Sequence, residues 1–291
     1  LVDARARLGA QDRIAVLIDA EPDGDRFDLE ADYLAPAGGV LAGLAGFAKG
    51  YYARIAGDGT WRKWRGTALA RRLPAEGGKP IVGPAVAAFQ VTNDAGKIGV
   101  LGRVRPGPAG EDLLARATGP QIAVAASFTL EDSILEGRAA LITRALDLRG
   151  AGVIDLADNR IEGARTSAAL RDPDLLGEGW RFEQTRLAAD VSGPFRDLAI
   201  DHRLTVGRLV AQGVEAKGLV QEGLALFDGK VLKVPMALTA ERITTGNPQA
   251  DPRLVKGRVT GLLTYDVATQ KLAADAARII FPGLDATLAL R

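Results

Sequence analysis

Apolar and polar residues alternate with period two along almost the whole chain, and this constrains the fold more than any other feature. Phe27-Asp28-Leu29-Glu30-Ala31-Asp32-Tyr33 is a clean instance, with Phe, Leu, Ala and Tyr on one side and Asp, Glu and Asp on the other. Successive side chains of a strand point to opposite faces, so such a segment lays one apolar and one wet face on a sheet. Repeated over 291 residues, the pattern predicts an all-β fold. The expected form is one long, mostly antiparallel, twisted sheet curled into an apolar groove.

Strand-like runs begin with Val2–Leu8 and recur to Ala286–Leu290, with Leu198–Val206, Leu209–Lys217 and Leu219–Phe227 as three successive strands. Short turn signals separate the runs: Pro22-Asp23-Gly24-Asp25, Gly57-Asp58-Gly59, Asn93-Asp94, Asp158-Asn159 and Asp228-Gly229. Punctuation this short joins antiparallel neighbours as hairpins, whereas parallel pairs need crossovers of a dozen or more residues. Gly119-Pro120 and Gly193-Pro194 lie 74 residues apart, and the turns at Asp158 and Asp228 lie 70 apart. These spacings suggest a weak repeat over 119–190 and 193–265, although Gly83-Pro84 breaks it and chance recurrence competes with it.

Spacing of ~4.8 Å per strand would make about twenty strands a ribbon roughly 90 Å long. Open sheets of that size curl, split or close as twist accumulates. Curling about the apolar face gives a filled sandwich or an open trough. Aromatic residues are only 5% of the chain, so the face is mostly Ala, Leu, Val and Ile, which leans toward the trough.

Lys+Arg at 37 against Asp+Glu at 36 leaves a net charge of +1, so no global field recruits nucleic acid. Cysteine is absent, which removes disulfides and thiolate metal sites and is compatible with an oxidising compartment. The chain starts at Leu1, its only methionine is Met236, and Leu284 to Leu290 is strand-like to the end; a segment of a longer polypeptide is expected. The uncharged run between Asp32 and Lys49 is 16 residues, below the ~20 needed to span a membrane. Val40, Leu41, Leu44 and Phe47 share one helical face there, predicting a short helix over 36–49 that packs on the sheet or dips into lipid.

The alternation also nominates the residues of the apolar side. They are Phe27, Leu29, Tyr33 and Ile55, then Ile122, Val124, Phe128 and Leu130, then Leu146, Leu148 and Ile154. Leu198, Ile200, Leu204 and Val206 follow, and Val234, Met236 and Leu238 complete the set. Asp28, Glu30, Asp32, Asp201 and Arg203 are expected to face water, since one residue of slip would invert the whole pattern.

Several segments resemble the TamB family, the inner-membrane component of the bacterial translocation and assembly module, related to AsmA-like proteins. They are Phe27 to Tyr33, the Gly-rich stretch from Gly38, and Ala53-Arg-Ile-Ala-Gly-Asp-Gly-Thr-Trp61. Val153 to Ile161, and Val191-Ser-Gly-Pro-Phe195 followed by alternating Leu198, Ile200, Leu204 and Val206, are similar to its repeats. The likeness lies in rhythm and turn placement rather than in a signature motif. It implies a periplasmic protein anchored in the inner membrane, with a long apolar β-groove. It further implies a part in phospholipid transport, with acyl chains as partners, and in outer-membrane protein assembly. An outer-membrane partner would be bound by regions outside these residues.

Catalytic chemistry finds little support. His202 is the only histidine, lies on the same strand face as Ile200 and Leu204, and has no nucleophile motif beside it. Zinc needs a cluster of ligands, no Walker loop is present, and Gly150 and Gly152 do not complete a dinucleotide fingerprint. No cofactor or metal is therefore expected, and the chain is not expected to be an enzyme. Trp61-Arg62-Lys63-Trp64-Arg65 is the one basic-aromatic cluster, suited either to anionic headgroups or to a charge-protected edge strand. A groove that shields acyl chains is the leading expectation. A stalk with a closed core that binds protein is the alternative.

Overall fold

A computed structural model describes residues 1–8, 12–21, 23–36, 50–73, 85–106, 113–267, 269 and 271–290. The helix expected over 36–49 lies outside the described residues apart from Pro36. Contacts divide the chain into two compact units, residues 1–109 with 120–130, and residues 110–119 with 131–291. Both are all-β and antiparallel, as the period-two pattern predicts.

The first unit is a meander of β1 (Val2–Leu8), β2 (Asp12–Glu21), β3 (Arg26–Ala35), β4 (Tyr51–Gly59), β5 (Lys63–Arg72), β6 (Ala87–Asp94), β7 (Lys97–Val104) and β8 (Ile122–Glu131). Each strand pairs with the next in sequence. The Gly57-Asp58-Gly59 triplet, expected to be a turn, is the end of β4; the turn comes at Thr60–Arg62. There the Thr60 N–H donates to the Lys63 carbonyl at 2.8 Å, and Thr60 Oγ1 accepts from the Lys63 N–H at 2.8 Å. Because β5 pairs on both sides, with β4 and with β6, it is not the edge strand that its charges suggested.

The second unit contains β9 (Ile134–Ile142), β10 (Leu146–Asp155), β11 (Arg160–Leu170), β12 (Trp180–Glu183), β13 (Arg186–Pro194), β14 (Leu198–Ala211), β15 (Val214–Phe227), β16 (Val231–Thr244), β17 (Val255–Asp266), β18 (Lys271–Phe281) and β19 (Leu284–Leu290). Pairing again follows sequence, except that β12 and β13 share β14. Strand β13 takes Ala199 to Thr205 of β14, and β12 takes Arg208 to Ala211. They break at Gln184, whose φ is +54° and whose side chain covers Gly207 of β14.

A short helix, α1 (Leu113–Thr118), is tied at its C-terminal end to the turn between β9 and β10. Thr143 donates its hydroxyl to the Ala117 carbonyl at 2.7 Å, and Ala145 beside it is fully buried. Among the described residues no helix is long and apolar enough to cross a membrane.

The strand expected over Leu209–Lys217 does not exist, because the chain reverses at Gln212-Gly213. Both residues have positive φ, +49° and +87°, the signature of a two-residue turn whose twist matches its strands. Strands β14 and β15 are consequently 14 residues each. A Cβ added at Gly213 would meet nothing within 4 Å, so any penalty there is conformational and not steric. Gly213→Val is expected to destabilise the protein by about 1–2 kcal/mol, with Gly213→Asn recovering most of the loss. Urea unfolding of the two variants checks this.

Candidate functional site

Directly opposed residues of antiparallel strands share a face, so the register sorts every side chain. In the first unit one cross-strand row reads Ala4, Val16, Ala31, Ile55, Ala68, Phe89, Gly102 and Val124. A second reads Ala6, Ile14, Tyr33, Ala53, Ala70, Ala87, Val104 and Ile122. Formal charge enters this face at one margin only, at Asp12 and Arg72. Asp12 is completely buried there and accepts the Tyr33 hydroxyl at 2.7 Å, a bond that raises the tyrosine above its usual range.

The second unit has a similar face, with charge gathered at the end where Arg208 opposes Glu183 and Lys217. A single row runs Leu141, Leu148, Ala168, Leu187, Leu204, Gln221, Leu238, Val259, Ile279 and Ala286 without a charge. Ile154 and Ile161 are opposed on this face, as are Leu198 and Phe227, Ile200 and Ala225, and Val206 and Leu219. Leu146 opposes Leu170, Val234 opposes Leu263, and Met236 opposes Gly261. In the first unit Phe27 and Leu29 stand with Ala20 and Ile18, and Phe128 with Ile98; Leu130 continues the alternation of β8 and is exposed.

The nominated residues thus fall on the uncharged face of their own unit. Asp28, Glu30, Asp32, Asp201 and Arg203 fall on the opposite face. Asp201 and Arg203 are exposed, while the other three are half-buried among ion partners. Arg26 bonds Asp28, and Arg54 bonds Glu30. The Tyr52 phenol, pushed up first by burial, donates to Asp32.

Nothing packs these faces shut among the described residues. The buried apolar set is seven alanines, Val206, Trp64 and Phe281; no leucine or isoleucine is buried. A closed, dry core would bury large aliphatic side chains. Instead, a cavity of about 250 Å³ lies against the first unit's uncharged rows, lined chiefly by Ile14, Ala31, Tyr33, Ala53, Ile55, Ala68, Ala70 and Phe89, with Asp32, Arg54 and Leu69 also at its wall.

The two buried aromatic residues each lie over glycine. Trp64 covers Gly57 and Gly66, where a Cβ would approach its ring to 2.4 and 2.2 Å, and Phe281 covers Gly257 at 2.2 Å. Sequence reasoning placed Trp64 in a basic cluster and missed this role; the glycines on neighbouring strands are the available signal. Trp61 sits in the turn, 48% exposed, with its ring centroid 4.6 Å from that of Phe27. Gly66→Val is expected to displace Trp64, cost about 1–3 kcal/mol and red-shift tryptophan emission. Thermal melts and fluorescence spectra check both.

Charge concentrates on β12, β14 and β15. Glu183 takes Arg181 at 2.8 Å and Arg208 at 3.4 Å, while Glu215 takes Arg208 at 3.0 Å and Lys217 at 3.1 Å. Hydrogen bonds from Arg208 and then Lys217 hold the Glu215 carboxyl down at about 2, against an ordinary 4.5. A depressed carboxylate stabilises the fold fully above its unfolded value and loses that contribution as pH falls through the folded one. The melting temperature should drop from about pH 4.5 down to about 2, and Glu215→Gln should flatten that limb. Melts across the acid range check this.

No group of three or more metal-binding side chains occurs among the described residues. His202 lies on the uncharged face opposite Ala189 and Gly223, with Gln221 as its polar neighbour. No known protein family, no curated protein and no solved structure matches the chain.

Proposed function

We propose that this chain is a periplasmic segment of a larger TamB-like protein anchored in the inner membrane, and that its uncharged faces shield phospholipid acyl chains on their way between membranes. Outer-membrane protein assembly would draw on the same groove, with any outer-membrane partner held by regions outside the segment. The role is conduction without catalysis and without a cofactor. One observation carries the proposal: uncharged rows cross the paired strands of each unit, yet no leucine or isoleucine on them is buried.

Exposed apolar surface on this scale is a liability in water unless it has an occupant. An acyl chain suits it physically, since burial and dispersion need no directed polar contacts. Each buried CH₂ contributes ~0.8 kcal/mol, so even a chain of modest length is held. The strands that line the cavity, β2 to β6, cover four strand spacings, roughly 19 Å measured along the sheet. That is comparable to an extended long acyl chain.

Photo-crosslinking amino acids placed at Ile55 and Leu204 should capture phospholipid in cells, whereas Thr67 and Arg203, on the opposite faces, should not. Val124→Asp and Leu204→Arg should reduce captured lipid by forcing an unpaired charge into apolar surroundings. Capture equal at both faces, or none at either, would sink the conduit and favour a structural stalk.

A further inference from the structure

The β15–β16 ladder is interrupted between Gln221↔Leu238 and Leu226↔Lys233, around Pro235, which has no N–H to give. Gln221 bridges the gap with its side chain. The Ala237 N–H can only donate and reaches Oε1 at 2.9 Å; the Pro235 carbonyl can only accept and takes an Nε2 hydrogen at 2.9 Å. These two backbone groups leave the amide a single orientation. Its second Nε2 hydrogen faces two acceptors, the Glu222 carbonyl at 3.3 Å and His202 Nε2 at 3.5 Å.

A ring nitrogen that faces an N–H serves as a lone-pair acceptor, so the proton of the neutral imidazole belongs on Nδ1, 3.5 Å from the Ile200 carbonyl. Strand β13 presents Ala189 to this histidine and β15 presents Gly223. No charged or titratable side chain from β13, β14 or β15 shares its face there. Asp190, Asp201, Arg203 and Glu222 all stand on the opposite one, with Arg203 paired to Glu222.

The geometry points to a proton-operated latch, in which neutral His202 seats Gln221 in the β15–β16 seam and the imidazolium expels it. Protonation turns Nε2 from acceptor into donor, setting N–H against N–H. It also places a positive charge among the uncharged neighbours Ala189, Gly223, Ile200 and Leu204. As regulation of lipid shielding, the latch rests on the function proposed above: acidification loosens the seam and drives apolar ligand from the second unit.

His202 is the only histidine, so nitrogen NMR reads its ring without ambiguity. The expected result is the Nδ1–H tautomer at about pH 8. The Ala237 amide should then lose protection about tenfold, corrected for intrinsic exchange, in the acidified sample whose ring nitrogens report the imidazolium. In His202→Phe that loss should vanish. An Nε2–H tautomer, or protection at Ala237 that ignores protonation, overturns the latch; the wild-type titration alone decides this if the variant does not fold. The neutral probe diphenylhexatriene should leave the wild type on acidification but stay on His202→Phe. Failure of the probe to bind at any pH counts against lipid shielding, and the ring and amide signals still decide the latch.

Discussion

Backbone hydrogen bonds between consecutive strands are the interaction on which both units depend. In a two-layer protein the ladder is supported by a packed interior, but here the buried apolar side chains are chiefly alanines. Cohesion therefore comes from the ladder itself, at about 1 kcal/mol net per bond, and from cross-strand pairs worth ~0.2–1 kcal/mol each. Among the described residues, such a ladder needs little cover on its apolar face, because cover supplies little of what holds the strands together.

That dependence explains the care taken wherever the ladder fails. Pro235 cannot donate, and the amide of Gln221 supplies the missing donor and acceptor from its side chain. At Gln184, where β12 and β13 part, the side chain covers Gly207 of the shared neighbour. Trp64 and Phe281 settle into hollows left by glycines on neighbouring strands and are buried there. Each device is local and acts across one strand boundary.

Most of the fold was legible in the sequence because period two is a backbone rule, independent of distant contacts. Phe27, Leu29 and Tyr33 could be assigned to one face from their spacing alone. The errors came where glycine had two meanings. In Gly57-Asp58-Gly59 glycine makes room for neighbouring backbone and for Trp64, not for a turn. At Gly213 it does make a turn, which was overlooked because apolar residues continue on both sides. Strand β12 escaped notice because four residues carry too little alternation to read. The seating of Trp64 and the bridge from Gln221 depend on which strands become neighbours, and spacing within one strand cannot express that.

Pairing in sequence order has a consequence for how such a protein changes over generations. Apart from the short β12, each paired strand recognises only the neighbour before and the neighbour after, so a duplicated hairpin can enter the array while the older registers stay as they are. Strands come and go in pairs, because a single insertion would reverse the direction in which the rest of the chain runs. Reach then grows by a fixed increment of roughly 10 Å per hairpin, two strand spacings. A sheet of this kind can be lengthened or shortened hairpin by hairpin, with no redesign of any interior.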